Sequence, residues 1–216
     1  MTPLPDDCLC FQGDPNFCCP KIASSDAYAG EIFTGTSEWQ IPRQLDGHDP
    51  RAAATADTTV AFTGRHSLKI RVPTDKPLII GVAGTQHSKG GGADACFGLD
   101  KSTDIAIRLV NGRSYSVSLQ AQASPAGSQL AVMEGYWRGG CAYPDTAPAP
   151  DGGCPFIGNV RHEISMGREW TALQVNFTSA SPDNCTGLAI RVTPPAGSFG
   201  AVAWIDAVGG QLLPAV

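Results

Sequence analysis

The run Ser114-Tyr115-Ser116-Val117-Ser118-Leu119-Gln120-Ala121-Gln122-Ala123 alternates polar and apolar residues without a break. Successive side chains of a β-strand point to opposite faces, so this period of two reads as a half-buried strand. Tyr115, Val117, Leu119 and Ala121 face a core, and Gln120, Gln122 and the serines face away. The same period returns on either side. Leu68, Ile70 and Val72 share a face in residues 66–72, as do Leu173, Val175 and Phe177 in 171–177, and Leu188, Ile190 and Val192 in 187–192. Residues 104–109, 129–134 and 201–208 complete the set. Between them lie Thr63-Gly64, Asn111-Gly112, Pro125-Ala126-Gly127, Ser181-Pro182-Asp183-Asn184 and Pro194-Pro195-Ala196-Gly197, all turn chemistry. No segment shows a long capped stripe of helical period. Short strands at this spacing predict an all-β sandwich or barrel.

Composition agrees. The chain has 216 residues, enough for one sizeable core, with 42% hydrophobic and 16% charged residues, 25 Gly and 17 Pro. A net charge of −5 gives no basic footprint, which sets aside nucleic acid and anionic lipid as partners. No run approaches the ~20 apolar residues a membrane helix needs, so no membrane insertion is expected. The opening Met1-Thr2-Pro3-Leu4-Pro5 is no signal peptide. Eight cysteines nevertheless point to an oxidising compartment, secreted or at an extracellular surface, and Met1 is read as replacing a removed leader.

Four cysteines (Cys8, Cys10, Cys18, Cys19) crowd the first twenty residues, and four (Cys96, Cys141, Cys154, Cys185) are spread through the body. Cys141 and Cys154 flank a Pro/Gly-rich loop, so a bridge between them is the first expectation, with Cys96–Cys185 as a long-range staple. The N-terminal group could hold zinc, but C-x-C and adjacent cysteines fit the usual C-x₂₋₄-C spacing poorly, and disulfides fit better. Residues 1–27 are therefore read as a disulfide-rich arm and 28–216 as the sandwich domain.

Four segments carry a family likeness: Thr63-Gly64-Arg65-His66-Ser67-Leu68-Lys69-Ile70, Leu109 to Ser118, Glu169-Trp170-Thr171 through Phe177, and Ala203-Trp204-Ile205-Asp206-Ala207-Val208. In this order they resemble the jelly-roll carbohydrate-binding modules attached to xylanases and glucanases, within the galactose-binding-like fold. The resemblance implies a two-sheet jelly-roll β-sandwich that binds a polysaccharide or glycan and performs no catalysis. It also implies that Trp39 packs beneath the sandwich. Asp206 falls where such modules place a carboxylate that helps hold a structural calcium, and Glu31 is the nearest match for its partner. A buried, hydrogen-bonded Asp206 is the alternative, since calcium takes 6–8 oxygens.

Sugar recognition needs aromatic rings for the apolar faces of pyranoses and planar amides for their hydroxyls. Parity supplies both. With Leu130 and Val132 inward, Met133 and Trp137 project outward; with Leu173 and Val175 inward, Trp170, Gln174 and Asn176 do. If these strands share one sheet, its open face carries Trp137, Trp170, Gln120, Gln122, Gln174 and Asn176. A bulge near Gly135 would exchange Trp137 for Tyr136. Trp204, like Trp39, is assigned to the core.

Catalytic readings find less. A glycosidase needs two carboxyl groups across a cleft. Glu134 and Glu163 lie in strands, but Glu134 shares parity with Leu130 and Val132 and points inward. His48, His66, His87 and His162 show no metal spacing, and there is no G-x-S-x-G elbow. The sequons at Asn176 and Asn184 are read as chance, the first being mid-strand and the second enclosing Cys185. Three functions remain in order: an extracellular glycan-binding module; a structural or adhesive protein whose Cys-rich arm links it to other copies of itself; and a jelly-roll lyase or hydrolase.

Overall fold

A computed structural model of the chain describes residues 39–42, 52–62, 67–82, 109, 111–137, 142–143, 156–180 and 187–213. Eleven strands are found among them: β1 (Trp39–Pro42), β2 (Ala54–Asp57), β3 (Ser67–Val72), β4 (Leu78–Val82), β5 (Ser114–Ser124), β6 (Gln129–Trp137), β7 (Ala142–Tyr143), β8 (Phe156–Ser165), β9 (Thr171–Thr178), β10 (Gly187–Thr193) and β11 (Ala201–Leu212). They form two antiparallel sheets, a six-stranded one ordered β7-β1-β4-β10-β6-β8 and a five-stranded one ordered β2-β3-β11-β5-β9. Among the described residues no helix is long and apolar enough to cross a membrane. All eight cysteines, Glu31, residues 104–108 and the turns at 63–64 and 181–184 lie outside the described residues.

The alternation in β5 becomes strict burial: Tyr115, Val117, Leu119, Ala121 and Ala123 are buried, and the residues between them are not. β9 repeats it with Leu173, Val175 and Phe177. These side chains meet Leu68, Ile70, Val72, Ala203 and Ile205 of their own sheet and Leu78, Ile80, Leu130, Val132, Leu188, Ile190 and Val192 of the other in one core. Burying each large aliphatic side chain contributes roughly 1.5–3 kcal/mol, which is what clamps the sheets face to face. The Asn111-Gly112 and Pro125-Ala126-Gly127 turns are where the sequence puts them, each with its Gly at positive φ (76° and 91°).

The six-stranded sheet has a second apolar layer on its outer side. Ala131, Met133 and Ala189 are buried there, with Ile79 and Phe156 packed against them. Ala131 lies in register between Arg191 of β10 and Glu163 of β8, and the Arg191–Glu163 ion pair (2.5 Å) spans the strand above it. Gly135 and Gly158 face each other in the β6–β8 ladder. A Cβ on Gly135 would sit 2.4 Å from both the Phe156 ring and the Ile157 carbonyl oxygen, so only glycine admits that ring. Met133 is thus outward by parity, as expected, yet covered.

Candidate functional site

The six sequence-predicted site residues do not share a face. Gln120 and Gln122 lie on β5 and Gln174 and Asn176 on β9, neighbouring strands of the five-stranded sheet; Trp170 immediately precedes β9. Trp137, with Tyr136, ends β6 in the other sheet, where Trp137 is in register with Phe156 and Tyr136 with Ile157. The expected single sheet is therefore corrected. The β5–β6 turn does not close a hairpin within one sheet but carries the chain from one sheet to the other, β5 pairing with β11 and β9, and β6 with β10 and β8.

The outer face of the five-stranded sheet does gather the rest. Ser116 is opposite Asn176, Ser118 opposite Gln174, and Gln120 opposite Ala172. Gln122 is in register with Trp204 of β11, and Trp170 immediately precedes Thr171, which stands opposite Ala121. Every outward side chain on β5 and β9 is Ser, Thr, Gln, Asn or Ala, none of them charged. Gln174 and Asn176 are exposed, Gln120, Gln122 and Trp170 half-buried. The Trp170 ring meets Phe62 edge-on, with centroids 5.8 Å apart and planes at 64°. Phe62 comes from the connection after β2 and carries no periodic signal, so strand parity could not have found it.

Trp204 is not a core residue. It is half-buried on this outer face, where its Nε1 donates to Asp57 Oδ2 (2.9 Å) and Lys69 Nζ stands 5.6 Å from its ring centroid. The available signal was its parity with Asp206: in 201–208 the small Ala201 and Ala203 turn inward with Ile205, and the indole turns out. Lys69 also bridges to Asp57 (3.0 Å), and Thr59 donates to Asp57 Oδ1 through its backbone N (2.8 Å) and its hydroxyl (2.6 Å). Burial alone would raise the Asp57 pKa. The bonds from the Thr59 hydroxyl, Trp204, the Thr59 amide and Lys69 outweigh it and hold the carboxyl well below the usual range.

That shift has a pH consequence. With a folded pKa below the unfolded one, Asp57 contributes its full stability above about pH 4 and loses it progressively as the pH falls further. The stability gap between wild type and Asp57→Asn should therefore be widest near neutrality and narrow between about pH 4 and pH 2, read by urea unfolding at each pH. A gap independent of pH would contradict this account.

Asp206 is fully buried in β11 beneath the same face. Its Oδ2 accepts the Phe62 backbone N–H (2.8 Å) and its Oδ1 the Ala207 N–H (2.7 Å). Of the two residues expected to hold calcium, Asp206 thus commits both oxygens to backbone amides, and Glu31 is outside the described residues. Among those described, no three His, Cys, Asp or Glu side chains gather as a metal site.

The two acids weighed for catalysis face opposite ways. Glu134 points into the sandwich, where it is 3% exposed; its Oε1 accepts the Ser179 hydroxyl (2.5 Å) and its Oε2 accepts Arg161 Nε (2.9 Å) and Nη2. Glu163 is on the outer side of the same sheet, paired with Arg191. Two carboxyl groups on opposite faces of one sheet cannot flank a single glycosidic bond.

No family model and no curated protein matches the chain. Solved structures similar to it are carbohydrate-binding modules. They include a C-terminal family 22 module from Clostridium thermocellum (15% identity, covering 94% of this chain and 99% of that one, TM-score 0.49). A family 22 xylan-binding domain from Paenibacillus barcinonensis is 11% identical, covering 84% of this chain and 89% of that one, with TM-score 0.47. A module solved with β-1,4-galactotriose is 13% identical, covering 87% and 97%, with TM-score 0.42. Identities this low say nothing about which residues of this chain meet a ligand.

Proposed function

We propose that the chain is a non-catalytic, extracellular jelly-roll module that binds an uncharged polysaccharide on the outer face of its five-stranded sheet. The observation that carries this is the set of side chains on that face: Trp204 in register with Gln122 across β11 and β5, Gln120, Gln174 and Asn176 along β5 and β9, and Trp170 just before β9. Adjacent strands are ~4.8 Å apart, so Trp204 and the Gln122 amide begin one strand spacing from each other. An amide offers two donors and an acceptor, matching vicinal hydroxyls, while the indoles supply apolar area that a sugar ring can cover. No outward side chain of β5 or β9 is charged, and Lys69 beside Trp204 is paired with Asp57, which favours a neutral sugar over a uronic acid or a sulfate. The ion-paired Glu134 and Glu163 support the absence of hydrolysis.

Affinity electrophoresis of the full chain through gels containing neutral glucan, xylan, mannan or galactan, beside an acidic pectin, tests the reading. Retardation by at least one neutral polymer is expected. No retardation by any of them, with no heat of binding by calorimetry, ends the proposal.

A further inference from the structure

Residues 58–62 follow β2 and lie against the outer side of the five-stranded sheet, tied down at three points. Thr59 bonds to Asp57, the Ser67 hydroxyl donates to the Val60 carbonyl (2.5 Å), and the Phe62 N–H reaches Asp206, 144 residues away in sequence. Only the last tie joins this segment to β11. It sets the Phe62 ring against Trp170, yet leaves Phe62 46% exposed. An apolar ring fixed edge-on to a tryptophan, and still half open to water, is placed to be covered by something else.

The backbone around Asp206 is shaped for this. The β5–β11 ladder shifts register between Asp206 and Gly209, with Ala207 and Val208 opposing Leu119 alone, and Ala207 takes φ 51°, rare for a residue with a Cβ. A bulge of this kind re-aims the side chain beside it. Asp206 Oδ1 accepts the amide of that same Ala207, so one buried carboxylate braces the bulge with one oxygen and holds Phe62 with the other.

We infer that Phe62 is a third aromatic contact of the glycan face, beside Trp170 and Trp204, and that Asp206 is its positioning residue, hooking the segment after β2 so that Phe62 and Trp170 form an angled pair of walls on that face. This rests on the proposed glycan-binding function and adds two residues to it. Asp206 touches no ligand. Its effect on affinity passes through the placing of Phe62.

The test is a cycle of Phe62→Ala, Asp206→Ala and the double variant, with Asp206→Asn as the conservative change. Each is measured for Kd on whichever neutral polysaccharide retards the wild type, and for thermal midpoint. Phe62→Ala should weaken binding about tenfold, the scale of one lost aromatic contact. Asp206→Ala should weaken it by the same factor and the double variant no further than either single, while Asp206→Asn, which keeps one acceptor oxygen but turns an NH₂ toward the other backbone N–H, should fall between wild type and Asp206→Ala. A residue that merely stabilised the fold would lower the midpoint and leave Kd unchanged, which overturns the positioning role; additive losses in the double variant do so too. If Asp206→Ala does not fold, Phe62→Ala decides alone, since Phe62 is exposed: an unchanged Kd removes it from the site. Wild-type protein that binds no glycan defeats the function itself, whereas binding that depends on Trp170 but not on Phe62 defeats only this inference.

Discussion

Glu134→Ala is expected to destabilise the fold by ~3–5 kcal/mol, the range for removing one member of a buried ion pair. Three losses coincide. The Arg161 guanidinium, 20% exposed and 5.7 Å above the Phe177 ring, is left in the sandwich without its anion. The buried Ser179 hydroxyl loses the acceptor that ties the end of β9 to the opposite sheet. A cavity replaces the side chain. The β6–β8 ladder explains why this site exists: Val132 pairs with His162 and Met133 with Val160, so Arg161 has no opposite number and turns to Glu134. Against a usual total of about 5–15 kcal/mol such a loss is large. For a chain of this length each kcal/mol moves Tm by ~2–4 °C, so a fall of roughly 6–20 °C should appear on heating. Glu134→Gln, whose carbonyl oxygen can still accept from Arg161 while its NH₂ donates to the Ser179 hydroxyl oxygen, should cost less. Wild-type stability in Glu134→Ala, read by urea unfolding with an unchanged m-value, would show that the pair contributes nothing.

Which parts were legible in sequence follows from the range of each interaction. The facing of β3, β5, β9 and β10 is a local property, fixed by a period of two, and it appears in the burial of Leu68, Tyr115, Leu173 and Leu188 alike. The assignment of strands to sheets is not local. β5 and β6 are joined by a four-residue turn and look like a hairpin, since chain neighbours usually pair, yet they belong to different sheets. The expected site depends on a shared sheet that these strands do not form, so it is divided between two faces. β4 escaped notice because Leu78-Ile79-Ile80 is apolar on both sides, as befits a strand with the core on one face and the Ala131–Met133–Ala189 layer on the other. Trp204 misled for the opposite reason: hydrophobicity put it inside, while Asp57 and Lys69, distant in sequence, give its indole a polar seat outside.

Trp170→Ala should weaken polysaccharide binding by at least ~2 kcal/mol, about thirtyfold in Kd, as truncating a central aromatic anchor does. The change removes an indole from this face and leaves the Phe62 ring without the partner it meets edge-on. Stability should fall little, because Trp170 precedes β9 and is half exposed, outside the core that joins the sheets. Gln174→Ala and Asn176→Ala, at exposed positions further along the ladder, should each cost less than about 1 kcal/mol, since water replaces much of an exposed hydrogen bond. Trp137→Ala supplies the contrast. Trp137 ends β6 in the other sheet, so its removal should leave Kd within about twofold, inside the ~0.5 kcal/mol to which distant sites act independently. Calorimetric titration of the three classes of variant separates the possibilities by sheet. If affinity disappears with Trp137 and survives the loss of Trp170, the ligand lies on the six-stranded sheet over the Phe156–Gly135 floor, and the face assigned here is the wrong one.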